Sequence, residues 1–133
     1  MTVIVTDSGF AQDDFTGTFA PLDEAQNAVA IDLTSDTQPA DLDAALSAEL
    51  IRIAFPSFAD GRGFTLAAQL RRLGFQGRLR AYGHVIADQY AMARRSGFDE
   101  VEISDDLAAR QPEAQWLRRA NWQAHDYQAR MRA

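Results

Sequence analysis

The sequence predicts an α/β protein in which about four βα units form a parallel, open sheet with helices on both faces. Short apolar runs alternate with stretches of helical periodicity, and this spacing recurs along the chain. Turn residues stand at almost every boundary between them. Strands that alternate with helices are typical of parallel sheets with right-handed crossovers. The alternative is a half-barrel arrangement of four βα units, similar to part of a TIM barrel.

The N-terminal quarter shows little regular structure. Residues 3–6 predict a short strand, and the absence of a persistent period up to Asn27 makes residues 1–27 a loop-rich arm. The first buried strand is predicted at Ala28–Leu33, a short apolar run of the kind found in parallel sheets. A short helix is expected at Asp41–Glu49. The arm would be anchored in the core by Phe10, Phe15, Phe19 and Leu22.

The centre of the chain shows the clearest alternation of predicted strands and helices. Pro56 ends an apolar run, and Gly74 and Gly97 stand where left-handed glycines commonly end helices. The predicted elements are a strand at Leu50–Phe55, a helix at Phe64–Leu73, a strand at Arg78–Tyr82, a helix at Ile86–Arg95 and a strand containing Val101–Ile103.

Residues 107–133 are predicted to be largely helical, from Pro112 to about Arg130, because proline suits a first helical turn. Trp116, Trp122 and Tyr127 would form an aromatic surface. That surface either packs on the chain's own sheet or anchors a homodimer. Residues 1–133 together are expected to form one domain.

Composition excludes several kinds of chemistry. The chain has no cysteine, so thiolate catalysis, cysteine-held zinc and cysteine-ligated iron–sulfur clusters are excluded. All thirteen basic residues are arginine, so Schiff-base chemistry and a P-loop lysine are excluded too. The two histidines, His84 and His125, are too few for an all-histidine zinc site, and nothing in the sequence supports the alternative of a mixed site with carboxylates. No metal site is predicted, and no cofactor is predicted either. No apolar run is long enough to span a membrane and no secretory signal is visible, so a cytoplasmic protein is expected.

The charge is unevenly distributed. Residues 1–66 contain eleven acids and two arginines, whereas residues 67–133 contain eight acids and eleven arginines. This asymmetry is typical of an ordinary solvated surface, or of one that matches an oppositely charged partner or a second copy of the chain. The arginines occur as scattered pairs without interleaved aromatic residues, so nucleic-acid binding is not expected.

Polar residues follow each predicted strand. In a parallel sheet these positions meet at the carboxyl edge, where ligands bind. The same residue types also cap helices, so each acid taken singly has an alternative role. The residues expected at this edge are Asp32, Asp60, Arg62, Tyr82, His84, Glu102, Ser104 and Asp105.

Gly61-Arg62-Gly63 lies between a predicted strand and helix. The dinucleotide fingerprint would need a third glycine where this chain has Leu66. A small anion such as sulfate or phosphate, held by backbone N–H groups and the Arg62 guanidinium, is the functional hypothesis. The structural alternative is that both glycines provide positive φ in a tight turn.

His84 is the candidate for proton transfer near neutral pH, with Asp60 as its catalytic companion at the same edge. Asp88, one turn into the following helix, would orient His84. The alternatives are that His84 ends a strand by bonding backbone and that Asp88 favours the positive end of its helix. Tyr82, Asp32 and Glu102 would surround the pair.

Three strings, DGRGF (60–64), LRAYGHVIADQY (79–90) and RSGFDEVEI (95–103), resemble the proteobacterial family of unknown function DUF934. Members of that family are often labelled probable oxidoreductases linked to sulfite reduction. The resemblance implies a role in assimilatory sulfate and sulfite reduction, with sulfite reductase or another sulfur-assimilation enzyme as partner. Because the chain has neither cysteine nor a nucleotide fingerprint, an accessory or binding protein fits that pathway better than a stand-alone dehydrogenase. A small enzyme at the strand edge and a structural interaction domain are the alternatives.

Overall fold

A computed structural model describes residues 2–125. Its elements alternate as the sequence predicts, with short 3-10 helices in several connections. The strands are β1 (Thr2–Thr6), β2 (Gly9–Ala11), β3 (Ala20–Pro21), β4 (Ala30–Leu33), β5 (Leu50–Phe55), β6 (Arg78–Gly83) and β7 (Glu100–Ser104). The α-helices are α1 (Arg62–Arg72), α2 (Tyr90–Ser96), α3 (Asp105–Arg110) and α4 (Glu113–Leu117), and the 3-10 helices are Leu22–Glu24, Pro39–Ala45, Ala87–Gln89 and Trp122–His125.

The seven strands form one mixed sheet in the order β2-β1-β7-β6-β5-β4-β3. The strands from β3 to β7 run parallel, with Ile51 of β5 opposite Ile31 of β4 and Leu79 of β6. β1 joins β7 antiparallel and forms a hairpin with β2. The predicted α/β class and the parallel central strands are therefore confirmed.

One face of the sheet carries the hydrophobic core. Alternate residues of each strand, such as Ile31, Ile53 and Val101, join a single buried cluster with the inward faces of the helices. That cluster contains residues from all four α-helices, including Leu70 and Trp116. Burial of this face supplies the main driving force for folding. Helix residues in it are Leu66, Ala67, Leu70, Tyr90, Ala93, Leu107 and Trp116.

The opposite face is polar, which corrects the expectation of helices on both faces. Its buried apolar residues Ile4, Ala30 and Leu50 lie outside the core cluster, and its other positions are largely charged. The reason is the strand order, because β4, β5, β6 and β7 are sequential neighbours. Right-handed crossovers between sequential neighbours place every connecting helix on the same side. A sheet with helices on both faces would need a reversal of that order.

Two predicted helices differ from the structure. The helix expected at Asp41–Glu49 is a 3-10 helix at Pro39–Ala45, with the proline in its first turn. The long C-terminal helix is a short α4, Glu113–Leu117, followed by turns, and Tyr127 and Arg130 lie outside the described residues. Trp116 is buried in the core and contacts Tyr90 edge to face at 6.1 Å. Over residues 2–125, no helix is long and apolar enough to cross a membrane.

Candidate functional site

The polar face of the sheet holds a row of charged side chains on four adjacent strands. We call this set the charged row, and it consists of Asp32, Arg52, Arg78, Arg80, Glu100 and Glu102. These residues lie on one face because each occupies the alternate position to the core residues of its strand. Glu100, Glu102 and Arg80 are buried.

Each arginine in the charged row binds carboxylates on other strands of the sheet. Arg52 donates Nε to Asp32 Oδ1 at 2.6 Å and Nη2 to Asp32 Oδ2 at 2.9 Å. Its Nη1 also donates to Glu102 Oε1 at 3.1 Å. Arg80 donates Nε to Glu100 Oε2 at 2.6 Å and Nη1 to Glu102 Oε1 at 2.8 Å. Two-point contacts of this kind are the strongest hydrogen bonds that arginine makes.

The carboxylates keep these arginines charged. Burial alone lowers the pKa of Arg80, but the hydrogen bonds and charges of Asp13, Glu100 and Glu102 outweigh it and raise the pKa above its ordinary value. The same balance raises the pKa of Arg52, where Asp32 is the main partner. The guanidinium groups of Arg52 and Arg80 therefore stay protonated within the charged row.

Residues 12–19 of the N-terminal arm lie against the charged row. We call this stretch the acidic segment. Asp13 binds Arg80 and Asp14 binds Arg78, whereas the Phe19 ring packs 3.8 Å from the guanidinium carbon of Arg52. The arm therefore covers the charged side chains of the polar sheet face. This role differs from the core-anchoring role expected for Phe15 and Phe19. Phe15 contacts Phe19 edge to face at 5.1 Å.

The predicted carboxyl edge of the sheet does contain a cavity. Its volume is about 370 Å³, and we call it the His84 cavity. The ends of β5, β6 and β7 and the start of the chain surround it. Side chains in its wall include Thr2, Phe58, Tyr82, His84, Glu102, Ser104 and Arg110.

The loop after β6 fixes the position of His84. Gly83 has φ +109°, and a Cβ there would lie 2.8 Å from the Phe55 carbonyl oxygen, so only glycine fits. The His84 N–H donates to that same oxygen at 2.9 Å. The exposed imidazole contacts the Phe58 ring edge to face at 5.3 Å. Gln89 holds the loop after β5, which carries Phe58, because its Nε2 donates to the Phe58 carbonyl oxygen at 2.9 Å.

Arg62 lines a different cavity, of about 280 Å³, between α1 and the loop after β4. We call it the Arg62 cavity. The Arg62 guanidinium makes a two-point contact with Asp60, with Nε–Oδ1 at 3.0 Å and Nη2–Oδ2 at 2.8 Å. It also donates to Ser35. The Arg62 backbone N–H donates to Asp60 as well. These contacts hold the pKa of the Asp60 carboxyl well below its usual range.

The two glycines beside Arg62 have different structural roles. Neither has positive φ, so the expected tight turn with left-handed glycines is absent. A Cβ at Gly63 would lie 2.5 Å from the Phe55 ring, which packs directly on the first turn of α1. A Cβ at Gly61 would meet only Phe64, at 3.9 Å. Gly63 is thus required for packing, whereas Gly61 is not sterically constrained.

The Arg62 cavity also contains a buried amide oxygen. Gln69 Oε1 is the one buried side-chain polar atom without a hydrogen-bond partner in the described part of the chain. It is carried on α1, one helical turn beyond Thr65, which lines the same cavity. A buried acceptor without a donor destabilises the protein by about 1–3 kcal/mol.

The structure brings some predicted site residues together and separates others. Tyr82, His84 and Glu102 line one cavity, together with Ser104. Asp60 pairs with Arg62 at the Arg62 cavity, so the expected group of Asp60, Arg62 and His84 is distributed over two places. Asp88 accepts a hydrogen bond from Arg119 at 2.9 Å and lines a third depression with Arg95. Asp105 begins α3, next to the cap residue Ser104.

An acidic depression of about 740 Å³ lies beside β4. Its wall contains Asp32, in addition to acids of the surrounding loops. No group of three or more histidines, cysteines or carboxylates is arranged to hold a metal ion in the described residues. The other acids in the wall are Asp23, Asp36, Asp41 and Asp43.

Sequence reasoning overlooked most of the charged row, namely Arg52, Arg78, Arg80 and Glu100, together with Asp13 and Asp14. A signal was present. Charged residues recur at every second position in RLR (78–80) and EVE (100–102), which indicates strands with one apolar and one polar face. Nothing in the local sequence of Asp13 and Asp14 indicates contact with strands more than sixty residues away.

The fold and cavities define an α/β protein with one helix-covered face, one charged face, and cavities at the carboxyl edge of its parallel strands. Residues 30–133 match the family described as "Bacterial protein of unknown function (DUF934)", and the chain belongs to that family. No curated protein matches the chain, and no solved structure does either. The matched range contains the whole charged row and excludes the acidic segment.

Proposed function

We propose that this protein is an accessory binding protein of assimilatory sulfate and sulfite reduction, which docks onto an enzyme of that pathway. The observation that carries the proposal is the state of Arg62. Its guanidinium and its backbone N–H are both bound to Asp60, so the strongest candidate for an oxyanion site already contains a carboxylate of its own chain.

The separation of the candidate catalytic residues supports the same function. His84 lines one cavity, and Asp60 and Arg62 meet at another. General acid–base catalysis needs the acid, the base and the reacting atom within hydrogen-bond reach. The pathway itself comes from the family resemblance, and the absence of cysteine and lysine from the chain favours docking over redox or covalent chemistry.

Co-purification tests the docking directly. A tagged copy expressed from its own locus is expected to recover a sulfite reductase subunit or another sulfur-assimilation enzyme. Deletion of the gene is expected to slow growth on sulfate and to leave growth on cysteine unchanged. Recovery of no such enzyme, combined with normal growth on sulfate, would contradict the proposal.

A second candidate is a small enzyme, of the oxidoreductase type that family labels suggest, centred on the His84 cavity. The observation that favours it is that Tyr82, His84 and Glu102 line one cavity where parallel strands end. His84 would move the proton. Thermal-shift screening with sulfate, sulfite, phosphate, flavin and nicotinamide nucleotides separates the two functions, because a saturating ligand raises the melting temperature.

The variants His84→Ala and Arg62→Ala distinguish the two cavities in that screen. An enzyme at the His84 cavity would lose ligand stabilisation and pH-dependent turnover in His84→Ala and keep both in Arg62→Ala. An accessory docking protein gives no ligand response in either variant. A thermal shift with sulfate or sulfite that is lost only in Arg62→Ala would instead support oxyanion binding at the Arg62 cavity.

A further inference from the structure

The acidic segment is attached to the charged row through side chains. Asp13 makes a two-point contact with Arg80, with Oδ2–Nη1 and Oδ1–Nη2 both at 3.0 Å. Asp14 Oδ1 accepts from Arg78 Nη2 at 2.6 Å. The Phe19 ring lies against the guanidinium of Arg52, whose opposite contact is the Tyr82 ring at 4.2 Å.

No backbone–backbone hydrogen bond joins residues 12–19 to the rest of the described chain. The Phe15 N–H is satisfied within the segment by Asp13 Oδ1. None of these residues is buried, and the Asp14 side chain is 73% exposed. Segments with few buried contacts and no main-chain ladder open at low free-energy cost. The strands beneath it, β4 to β7, have continuous ladders of their own. The segment runs between β2 and β3 at opposite edges of the sheet, so its release would also detach β3, an edge strand of only two residues.

Release of the segment would uncover a defined receptor. Arg78 and Arg80 would each lose a carboxylate, and Arg52 would lose the ring stacked on one face of its guanidinium. The remaining acids Glu100 and Glu102 would stay bound to the arginines from the side. Carboxylates interspersed among the arginines disfavour a continuous polyanion such as nucleic acid. They favour a ligand with two carboxylates and an aromatic ring at set positions.

We propose that the polar sheet face around Arg52, Arg78 and Arg80 is a binding site for an acidic–aromatic peptide segment of a partner protein. Residues 12–19 occupy this site in cis, and a partner segment of the same chemistry displaces them. The site lies within the family domain, whereas its present occupant lies outside it. This inference concerns the recognition chemistry and does not depend on which pathway the partner belongs to.

The cis segment should act as a competitor. A tethered segment has an effective concentration in the millimolar range, so it weakens binding of an identical external peptide by a large factor. Removing its contacts should therefore strengthen binding of the external peptide, even though the same change removes contacts from the folded protein. A segment that serves only to stabilise the fold would produce the opposite result, a less stable protein with no new binding.

The test uses the full chain in two forms, wild type and a release variant carrying Asp13→Asn, Asp14→Asn and Phe19→Ala. The probe is a fluorescein-labelled synthetic peptide of residues 10–21, titrated by fluorescence anisotropy. We expect saturable binding to the release variant that is at least about tenfold tighter than to wild type, because the cis competitor is weakened. The matched control peptide carries asparagine at both aspartate positions and should bind about tenfold more weakly or not at all, since it lacks the two charge-assisted contacts.

Two further measurements make the outcome decisive. Arg78→Ala in the release variant should abolish peptide binding while leaving the circular dichroism spectrum unchanged, since Arg78 is partly exposed. If the release variant does not fold, the single variant Asp14→Asn replaces it and should still bind the peptide more tightly than wild type. A folded variant that shows no saturable binding, that binds both peptides equally, or that binds a single-stranded oligonucleotide instead would overturn the proposal.

Discussion

Arg80 and Glu102 form a buried ion pair between neighbouring parallel strands. The Nη1 of Arg80 donates to Glu102 Oε1 at 2.8 Å, and the two side chains are 0% and 5% exposed. Arg80 also binds Glu100 and Asp13, so one guanidinium serves three carboxylates. A pair so placed is costly to break, because the charge left behind cannot be solvated.

Substitution of Arg80 by methionine should therefore destabilise the protein strongly. Glu100 and Glu102 would keep only their contacts with Arg78 and Arg52, and we expect a loss of about 3–5 kcal/mol in the free energy of unfolding. Urea denaturation at neutral pH measures it. The matched control is Arg119→Ala, whose pair with Asp88 is exposed and should cost less than about 1 kcal/mol. Equal losses in the two variants would mean that the network does not stabilise the sheet.

The two glycines beside Arg62 should respond differently to alanine. Gly63→Ala places a methyl group against the Phe55 ring and should cost about 1–3 kcal/mol by overpacking. Gly61→Ala has free space and negative φ, but Gly61 is the N-cap of α1, where glycine is preferred over alanine, so we expect at most about 1 kcal/mol of destabilisation. Thermal unfolding of both variants checks the difference. Equal destabilisation would contradict the packing role assigned to Gly63 alone.

Asp7 should make stability depend on pH in the acid range. Burial raises the pKa of its carboxyl, but hydrogen bonds from Tyr90, Arg94 and Trp122 outweigh burial, so the net pKa is lowered. A lowered folded-state pKa stabilises the protein above the unfolded pKa, which is about 3.9, and this contribution disappears as the pH falls through the folded value. Because the Asp7 side chain is 43% exposed and solvent screens its contacts, Asp7→Asn should be less stable than wild type at pH 7 by at most about 1 kcal/mol.

The difference between Asp7→Asn and wild type should narrow as the pH falls below about 4. Denaturant titrations at intervals from pH 7 to pH 2.5 give the comparison. Asp88→Asn serves as control, since its pair is solvent-exposed and worth less than about 1 kcal/mol at any pH. A difference between Asp7→Asn and wild type that stays constant across this range would show that the Asp7 carboxylate charge is not the source of the stability.

Gln69→Leu should stabilise the protein. The substitution removes a buried oxygen that has no donor and keeps similar volume on α1, so we expect a gain of about 1 kcal/mol in the absence of ligand. Differential scanning calorimetry measures the shift. Gln115→Leu, at another half-buried helix position that has no buried unpaired amide oxygen, is the comparison variant. A loss of stability in Gln69→Leu would mean that a water molecule or ligand satisfies the amide in solution.

Most of the fold was predictable because its signals are local. The apolar run at Leu50–Phe55, the strand pattern at Arg78–Tyr82 and the glycines after α1 and α2 each depend on neighbouring residues. The prediction of helices on both faces of the sheet was wrong, because that feature depends on strand order. Whether helices cover one face or two is decided by which strands are neighbours, and the local sign of it is confined to the alternating charges in RLR (78–80) and EVE (100–102).

The site was predictable only in part. Tyr82, His84 and Glu102 meet because the ends of neighbouring parallel strands must meet. Arg62 and Asp60 were expected to reach the same place, but their short-range contact with each other keeps both beside α1. Asp13 and Arg80 are 67 positions apart, and their contact follows from the path of the arm, which has no periodic signal.

The charged row also has a consequence for how the chain folds. Side chains in a strand alternate between faces, so a shift of β5 or β6 by one residue would turn Arg52 or Arg80 into the helix layer. An arginine without carboxylates there would be prohibitively expensive to desolvate. Misaligned pairings of these strands are therefore strongly disfavoured during folding, and the charged row favours a single register of the central strands.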